Sequence, residues 1–398
     1  MNNRQMLTGN YAAAYGAQVA RAEVVPVYPI TPQTHIMEKM AELIETGKLD
    51  AEMISVESEH SALAAAIAAQ ATGARTFTAT SAQGLLYMHE NMFVASGIRL
   101  PIVMVIVNRA VGAPNSIYPD LSDSLDQRDT SWIQIYAENA QEAHDMVVQA
   151  YRIAENKAIL LPVAVCFEGL IISHNMEPVT LMEQEKVDQF LPPYTPEHVV
   201  LDPDRPMSIG QVLMDDAYYT EYRYQQKEAM DNALKVIPEV DDEFGEIFDR
   251  CYGGLFSAEM MDGAQVAIVT LGSLASTARS VVSHLRKEKG LPIGLIKLRS
   301  FRPFPEAALR QYLSGMKAVA VLERDVSIGN GGIIYAELAQ CLYNAHYPSP
   351  LLTNYIMGLG GRDLTFDDVL SIAMTVYEER ENDTVEQPIR WWNVRGLS

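Results

Sequence analysis

Cysteine is scarce in this chain: 398 residues hold three, Cys166, Cys251 and Cys341, widely separated and without a Cys-x-x-Cys pair. That excludes an iron–sulfur cluster or a structural zinc held by this chain alone, and it leaves no disulfide framework. The eight histidines form no His-Glu-x-x-His spacing, so no metal ligand is assigned to the chain, and any metal is shared with or held by a partner. Basic residues are few as well. Thirty Lys and Arg against 51 Asp and Glu give a formal charge of −21, which argues against a nucleic-acid or anionic-membrane surface and favours solubility. It still fits an electron carrier or partner approached through a local basic patch. The longest apolar runs, such as Leu100 to Val107, are of strand length and far short of a membrane span. Met1-Asn2-Asn3-Arg4-Gln5 leads into polar, helix-like sequence with no apolar signal segment. A soluble cytoplasmic protein is expected, with neither nucleic acid nor membrane as partner. Also missing are a Ser-His-Asp order, a Gly-x-x-x-x-Gly-Lys-Ser/Thr loop and a strand-borne Gly-x-Gly-x-x-Gly. As phosphate loops, the turns Gly329-Asn330-Gly331-Gly332 and Gly358-Leu359-Gly360-Gly361 are weak signals.

What the chain has in quantity is alternation of apolar strands with amphipathic helices. Gly9 to Arg21 reads as a helix with small residues on one face, Val24 to Tyr28 as a strand, and Gln33 to Ile44 as a helix with Ile36, Met37, Met40, Leu43 and Ile44 at the helical period. Met53 to Val56 reads as a strand, and Glu59 or His60 to Ala71 as an alanine-saturated helix suited to tight packing against sheet or partner. Strands at Arg75 to Thr80, Ile102 to Val107, Trp132 to Tyr136 and Ile159 to Cys166, with helices at Gly84 to Ser96 and Gln141 to Ala154, continue the pattern. Such alternation predicts an α/β fold with a doubly wound parallel sheet. It stops at Glu177 to Gly210, where prolines among acidic residues read as a connecting arm. Asp215 to Arg250 reads as an acidic, tyrosine-rich helical stretch with little periodic core. A smaller α/β unit starts near Gly253-Gly254, with strands Gln265 to Leu271, Ile293 to Leu298, Ala318 to Leu322 and Leu351 to Tyr355. Helices Ser276 to Lys289, Pro305 to Ser314 and Gly332 to Tyr343 alternate with them. The expected division is residues 1–250, with the arm at about 175–250, and residues 251–398.

At the end of the first strand, Val27-Tyr28-Pro29-Ile30-Thr31-Pro32 makes a rigid corner. Each proline fixes its own φ and pushes the preceding residue out of the helical region, so Tyr28 and Thr31 are expected to be extended. Ligands of open α/β sheets bind beyond the carboxyl ends of the strands, where Thr31 would present its hydroxyl. A proline-rich helix start capped by Thr31 or Thr34 is the alternative. Glu57-Ser58-Glu59 after the second strand and Arg109 after Ile102 to Val107 would converge on the same place if these strands are adjacent. A carboxylate at the mouth of an alanine-rich helix is costly when unpaired. A first-turn glutamate favoured by the helix dipole accounts for Glu59 without function, and Arg109 has a structural alternative as partner of Asp120 or Asp123. Thr80-Ser81-Ala82-Gln83-Gly84 is a small polar turn able to hydrogen-bond a heterocycle, or a plain helix cap.

Five stretches of the first half, Tyr28-Pro29-Ile30-Thr31-Pro32, Glu57-Ser58-Glu59-His60-Ser61-Ala62, Thr80-Ser81-Ala82-Gln83-Gly84-Leu85-Leu86, Asn108-Arg109-Ala110 and Gln127-Arg128-Asp129-Thr130, closely resemble the α chains of pyruvate:ferredoxin oxidoreductases. These belong to the 2-oxoacid:ferredoxin oxidoreductase family. Leu298-Arg299-Ser300-Phe301-Arg302-Pro303-Phe304-Pro305, Glu323-Arg324-Asp325 and Gly360-Gly361-Arg362-Asp363 look like that family's transketolase-C-terminal-like domain. The resemblance covers essentially the whole chain, in order. It implies a thiamine diphosphate pyrimidine-binding domain followed by the smaller α/β domain. The implied enzyme oxidatively decarboxylates pyruvate with coenzyme A to acetyl-CoA, CO₂ and reduced ferredoxin. Its thiamine diphosphate would be shared: this chain grips the aminopyrimidine, while a β subunit supplies the Mg²⁺-diphosphate site and a 4Fe–4S cluster, with γ and δ subunits completing the assembly.

By resemblance, Glu59 hydrogen-bonds the pyrimidine ring, Pro29, Ile30, Ser81, Gln83 and Gly84 surround the cofactor, Thr31 contacts substrate and Arg109 binds its carboxylate. A carboxylate beside a ring nitrogen favours the imino tautomer, whose exocyclic nitrogen can accept a proton. Arginine offers a 2-oxo acid a planar bidentate fork that lysine lacks. Two alternatives stay open. Glu57 competes with Glu59, although the following His60-Ser61-Ala62 favours Glu59. Leu121 stands where many relatives carry a polar or aromatic residue, in a loop expected to line the substrate pocket, so 2-oxoglutarate or a branched oxoacid competes with pyruvate. A non-catalytic assembly subunit is the alternative of another class, and the joint presence of Thr31, Glu59 and Arg109 speaks against it.

Overall fold

The computed structural model describes residues 4–196, 198, 200–214, 218–343, 349–382 and 384–396. Its first half runs β1 (Arg4–Thr8), α1 (Gly9–Val19), β2 (Val24–Val27), α2 (Thr34–Glu45), β3 (Glu52–Ser55), α3 (Glu59–Ala71), β4 (Phe77–Thr80) and α4 (Ala82–Gly97). It continues with β5 (Val103–Asn108), α5 (Ser122–Leu125), β6 (Ile133–Tyr136), α6 (Ala140–Ala154), β7 (Val163–Glu168), β8 (Met176–Thr180), α7 (Gln184–Phe190) and α8 (Tyr219–Phe248). The second half holds β9 (Phe256–Glu259), β10 (Val266–Leu271), α9 (Leu274–Lys289), β11 (Ile293–Leu298), β12 (Ser300–Arg302) and α10 (Glu306–Leu313). β13 (Ala318–Glu323), α11 (Ile333–Leu342), β14 (Leu351–Ile356), α12 (Phe366–Glu379) and β15 (Ile389–Trp391) complete it.

In the first half, β4, β5, β7 and β6 pair in parallel, in that order. β3 and β2 also pair in parallel. β2 in turn flanks β4 through the bridge from Val24 to Thr76 and the Thr78 hydroxyl donated to the Pro26 carbonyl at 2.9 Å. The spatial order is therefore β3-β2-β4-β5-β7-β6, doubly wound as the alternation predicts. β5 is apolar at nearly every position because both its faces are covered. Val103, Val105 and Val107 share a cluster with α1, α2, α6 and α8, whereas Met104 and Ile106 share one with α3 and α4. The second cluster runs on into β10, α10 and α11, so the two halves bury one common core. The second sheet has the order β15-β14-β13-β10-β11-β9, with β9 antiparallel, and α9 and α12 cover its other face.

The junction is also polar. β12 pairs antiparallel with β6 of the first half, Ser300 opposite Ile135. Arg299, fully buried, donates to the Gly254 carbonyl at 2.8 Å and to Gln149, and stands 3.6 Å from Asp241. Glu138 receives Arg279, Lys297 and Ser276 from the second half. Burial works against its ionised form, but the Arg279 hydrogen bond and the Lys297 charge outweigh burial and hold its carboxyl down at about 2.

Several features depart from expectation. The arm contains β8, which pairs antiparallel with β1, Leu7 opposite Glu177, and it contains α7. α8 does carry a periodic stripe: Ala229, Ala233, Val236, Ile237, Val240, Phe244 and Phe248 are buried in the first-half core, with Phe244 5.4 Å from the Phe190 ring. Residues 215–217 of that expected helical stretch lie outside the described residues. α12 and β15 extend the second half past its last expected strand. Among the described residues, no helix is long and apolar enough to cross a membrane.

Candidate active site

From β2 the chain moves outward to β3 and then returns to place β4 on the other side of β2. In a doubly wound sheet, such a reversal opens a crevice beyond the carboxyl ends of the two strands. Gln33, polar yet fully buried, lies across it and donates its amide to the Tyr28 carbonyl at 2.9 Å and the Ala79 carbonyl at 3.1 Å. Asn10 holds the Pro32 carbonyl at 2.8 Å. The proline corner, with a cis Thr31–Pro32 peptide, is thus anchored by two amide side chains that sequence reasoning did not single out. Pro29 and Thr31 are exposed and Ile30 is half-buried. Neither Thr31 nor Thr34 caps α2, whose start has no side-chain cap.

α3 begins after Ser58, whose hydroxyl accepts the Ser61 N–H at 3.2 Å. Glu57 stays outside the helix, exposed, and accepts the Ser61 hydroxyl at 2.7 Å. That bond and a backbone amide hold its carboxyl below the usual range. Glu59 sits in the first turn and reaches the start of α4. A Cβ built on Gly84 would lie 2.6 Å from Glu59 Oε1 and 2.8 Å from both Glu59 Cγ and Thr80 Oγ1. Glycine leaves room there for a carboxylate.

Ser81 holds the N-cap position of α4 without capping it. Its hydroxyl and that of Thr80 are buried and have no partner. Asp123, arriving from α5, takes over: its Oδ2 accepts the Ala82 N–H at 2.9 Å, where Ala82 has a φ of 44°. The same oxygen accepts the Arg109 N–H at 3.1 Å, and Oδ1 accepts the Asn108 amide at 2.7 Å and the Ser124 N–H at 2.8 Å. Complete burial raises the Asp123 carboxyl to about 7 in spite of these donors.

The Arg109 guanidinium reaches back across the crevice. Nη1 donates to the Thr31 carbonyl at 2.6 Å and Nη2 to Gln83 Oε1 at 2.5 Å, while Nε is buried without a partner. Partial burial lowers its pKa, opposed by the charges of Asp123 and Glu59. Among the described residues, the guanidinium forms no ion pair with Asp120 or Asp123; it is Arg109's backbone that meets Asp123. The structure therefore gathers Thr31, Glu59, Ser81, Gln83, Gly84 and Arg109 at the mouth of one crevice.

The second half buttresses the loop after Arg109. Leu121 N–H donates to the Arg324 carbonyl, and Gly361 N–H to the Pro119 carbonyl, both at 2.8 Å. Gly361 has a φ of 75°, and a Cβ there would stand 2.4 Å from Tyr118 Cβ. Leu121 is buried in the shared core, whereas Ile117 and Tyr118 are exposed. Tyr118, the turn at 359–363 and the tail at 391–395 enclose a cleft of about 920 Å³. Among the described residues, no group of three or more His, Cys, Asp or Glu side chains is placed to hold a metal ion.

Residues 15–242 match the family described as pyruvate flavodoxin/ferredoxin oxidoreductase, thiamine diphosphate-binding, and residues 264–369 match pyruvate:ferredoxin oxidoreductase core domain II. The chain is 48% identical over 383 residues to the pyruvate synthase subunit PorA of Methanocaldococcus jannaschii, covering 96% of this chain and 97% of that one. It is 46% identical over 392 residues to the ketoisovalerate oxidoreductase subunit VorA of Pyrococcus horikoshii, covering 98% of each. A solved 2-oxoglutarate:ferredoxin oxidoreductase from Magnetococcus marinus superposes with a TM-score of 0.73 at 19% identity, over 94% of this chain and 66% of that longer one. A split gene transketolase superposes at 0.52 and 14% identity, over 92% and 98%. These two likenesses concern the fold, and it is the fold that the sequence resemblance implied. With matches in order along nearly its whole length, this chain belongs to the pyruvate:ferredoxin oxidoreductase family.

Proposed function

We propose that this chain is the α subunit of a pyruvate synthase, which converts pyruvate and coenzyme A to acetyl-CoA and CO₂ with reduction of ferredoxin, and that its crevice holds the aminopyrimidine of thiamine diphosphate. One observation carries the reading: the Glu59 carboxylate occupies the gap left by Gly84, where the buried, unpartnered Thr80 hydroxyl also stands, and the hydroxyl of Ser81, next in the chain, is buried and unpartnered too. Buried polar atoms without partners are costly. A heterocycle with ring nitrogens and an amine satisfies these hydroxyls and the carboxylate together, so the residues present fit the cofactor. When bound, thiamine diphosphate supplies the nucleophilic carbon and the electron sink for decarboxylation.

The chain's own side chains then divide the work. Glu59 holds a proton between its carboxylate and the ring nitrogen, and Thr80 and Ser81 orient the ring through their hydroxyls. Pro29 and Ile30 form the wall of the corner, with the Thr31 hydroxyl at its edge facing substrate. Arg109 receives the substrate carboxylate on its guanidinium, which Gln83 and the Thr31 carbonyl hold in place. A β subunit with the Mg²⁺-diphosphate site and a 4Fe–4S cluster, γ and δ subunits, and ferredoxin belong to the same proposal, as does a cytoplasmic setting. Support comes from the relatives being named as subunits, and from cysteines that cannot meet: Cys166 lies in β7, Cys341 in α11 and Cys251 beyond α8. A division near residue 250 is part of the reading too, supported by two sheets with separate strand orders.

Relatives named for ketoisovalerate match about as well as those named for pyruvate, which makes a branched oxoacid the second reading. Turnover of the assembled complex on pyruvate, ketoisovalerate and 2-oxoglutarate at saturating coenzyme A decides between them. Pyruvate should give the highest kcat/KM, and a higher value for either competitor would replace it as substrate.

A further inference from the structure

β4 and β5 are hydrogen-bonded neighbours only as far as Thr80 opposite Ile106. Beyond that point they diverge, β4 into the turn that carries Ser81, Gln83 and Gly84, and β5 into Arg109. One side chain joins them again. Asp123 Oδ2 takes the N–H of Ala82 at 2.9 Å and the N–H of Arg109 at 3.1 Å, while Oδ1 takes the Asn108 amide and the Ser124 N–H. A plain helix cap would need only the Ala82 bond, and a plain loop closure only the Arg109 bond. Convergence of both amides on a single buried oxygen fixes the cofactor-facing turn and the substrate-facing arginine relative to one another. It also holds Ala82 at a φ of 44°, a conformation that a non-glycine residue keeps only when its surroundings impose it. α5, which carries Asp123, is in turn tied to the second half by Leu121 N–H on the Arg324 carbonyl at 2.8 Å.

We propose that Asp123 is a positioning residue for the oxoacid reaction: it sets the place of Arg109 over the crevice through the two-amide clamp without itself touching substrate. The inference rests on the reading of Arg109 as the carboxylate-binding group, and the test separates the two. Asp123→Ala removes both acceptor oxygens. In the assembled complex, at saturating coenzyme A and electron acceptor, it should raise KM and lower kcat/KM for pyruvate roughly 10- to 100-fold, the range a misplacement near 1 Å produces. Arg109→Lys should cost a similar factor, and the double variant should be hardly worse than the poorer single one, because both changes remove the same interaction. Asp123→Asn should recover most of what Asp123→Ala loses and lie between that variant and the parent. Its amide oxygen can keep both backbone bonds at the Oδ2 position, while its NH₂ replaces the oxygen that accepts from Asn108 and Ser124 N–H, so only those two bonds are lost. Should Asp123→Ala not assemble, Asp123→Ser takes its place under the same expectation.

Multiplicative losses in the double variant, or an Asp123→Asn variant as impaired as Asp123→Ala, would overturn the positioning role. Wild-type kinetics for Arg109→Lys would overturn the reading of Arg109 instead.

Discussion

Gly84→Ala isolates what the crevice does from what the fold needs. Alanine is favoured over glycine in a helix by up to about 1 kcal/mol, so on local grounds the change stabilises α4 or leaves it alone. The space around the site says otherwise for function. The added Cβ would stand 2.6 Å from Glu59 Oε1 and 2.8 Å from Glu59 Cγ and Thr80 Oγ1, whereas carbon contacts settle near 3.5 Å, so something must give by about 0.7–0.9 Å. Turning the carboxylate about its terminal torsion relieves Oε1 but not Cγ. Thr80 is fully buried at the end of β4 and cannot withdraw. Glu59 therefore has to leave its rotamer and the start of α4 has to ease away from Thr80, which on the proposed reading carries the carboxylate away from the cofactor ring. A misplacement close to 1 Å costs on the order of 10²-fold, equivalent to about 2.7 kcal/mol. The assay is exchange of the C2 proton of thiamine diphosphate in the assembled complex, followed by NMR beside a thermal melt. Exchange should slow by roughly 30- to 100-fold while Tm moves by no more than about 4 °C. Parental exchange rates in Gly84→Ala would mean that the Glu59 carboxylate is not at the cofactor.

Three more outcomes follow from the same geometry. Glu59→Gln should slow cofactor proton exchange by ~10²-fold or more with assembly intact, and Glu57→Gln, which loses only a surface bond to Ser61, should leave it near normal; the reverse result would exchange the two assignments. Arg109→Lys keeps the charge but loses the fork, so kcat/KM for pyruvate should fall about 10- to 150-fold with cofactor exchange unaffected, and a loss of exchange would place Arg109 at the cofactor. Glu138→Gln should destabilise the chain by about 3 kcal/mol at pH 7. The folded-state carboxyl is depressed from 4.5 to about 2, so its contribution is present above about 4.5 and fades as pH falls toward 2. Urea unfolding of parent and variant should therefore converge across that window, and a gap that ignores pH would remove Glu138 as the clamp between the halves.

The parts of the fold that could be read in advance are those whose burial is recorded in the sequence itself. Val103 to Asn108 is covered on both faces and is accordingly apolar nearly throughout, so its strand, and the alternation around it, are visible without any partner. α8 is the opposite case. Its stripe from Ala229 to Phe248 has helical spacing, but the acidic residues of its outer face stand between the apolar positions and hide it. β1, β8 and β12 are three to five residues long and exist because of strands far away in the chain: Arg4 finds Thr180, and Ser300 finds Ile135. Local pattern holds no trace of such a partner, which is why Ser300-Phe301-Arg302 was visible as a family motif but not as a strand.

The site divides along the same line. Glu59, Ser81 and Arg109 could be picked out because the family motifs contain them, although each taken singly has an ordinary structural explanation. Gln33, Asn10 and Asp123 could not, because a buried amide or carboxylate acquires its meaning from partners 22 to 46 residues away, at Pro32, Ala79 and Ala82. Leu121 stands in a loop that was expected to line the substrate pocket, yet Pro119, Asp120 and Leu121 are buried in succession while Ile117 and Tyr118 are exposed. Gln83 ties these threads together. It accepts from Arg109 and, through its amide, reaches Asn115 Oδ1 at 3.3 Å on that same loop. On the proposed reading, Gln83 holds the guanidinium that receives the substrate carboxylate. Binding is thereby coupled to the loop that carries Tyr118, and oxoacid selectivity should respond to Gln83 as well as to the side chains that face the substrate.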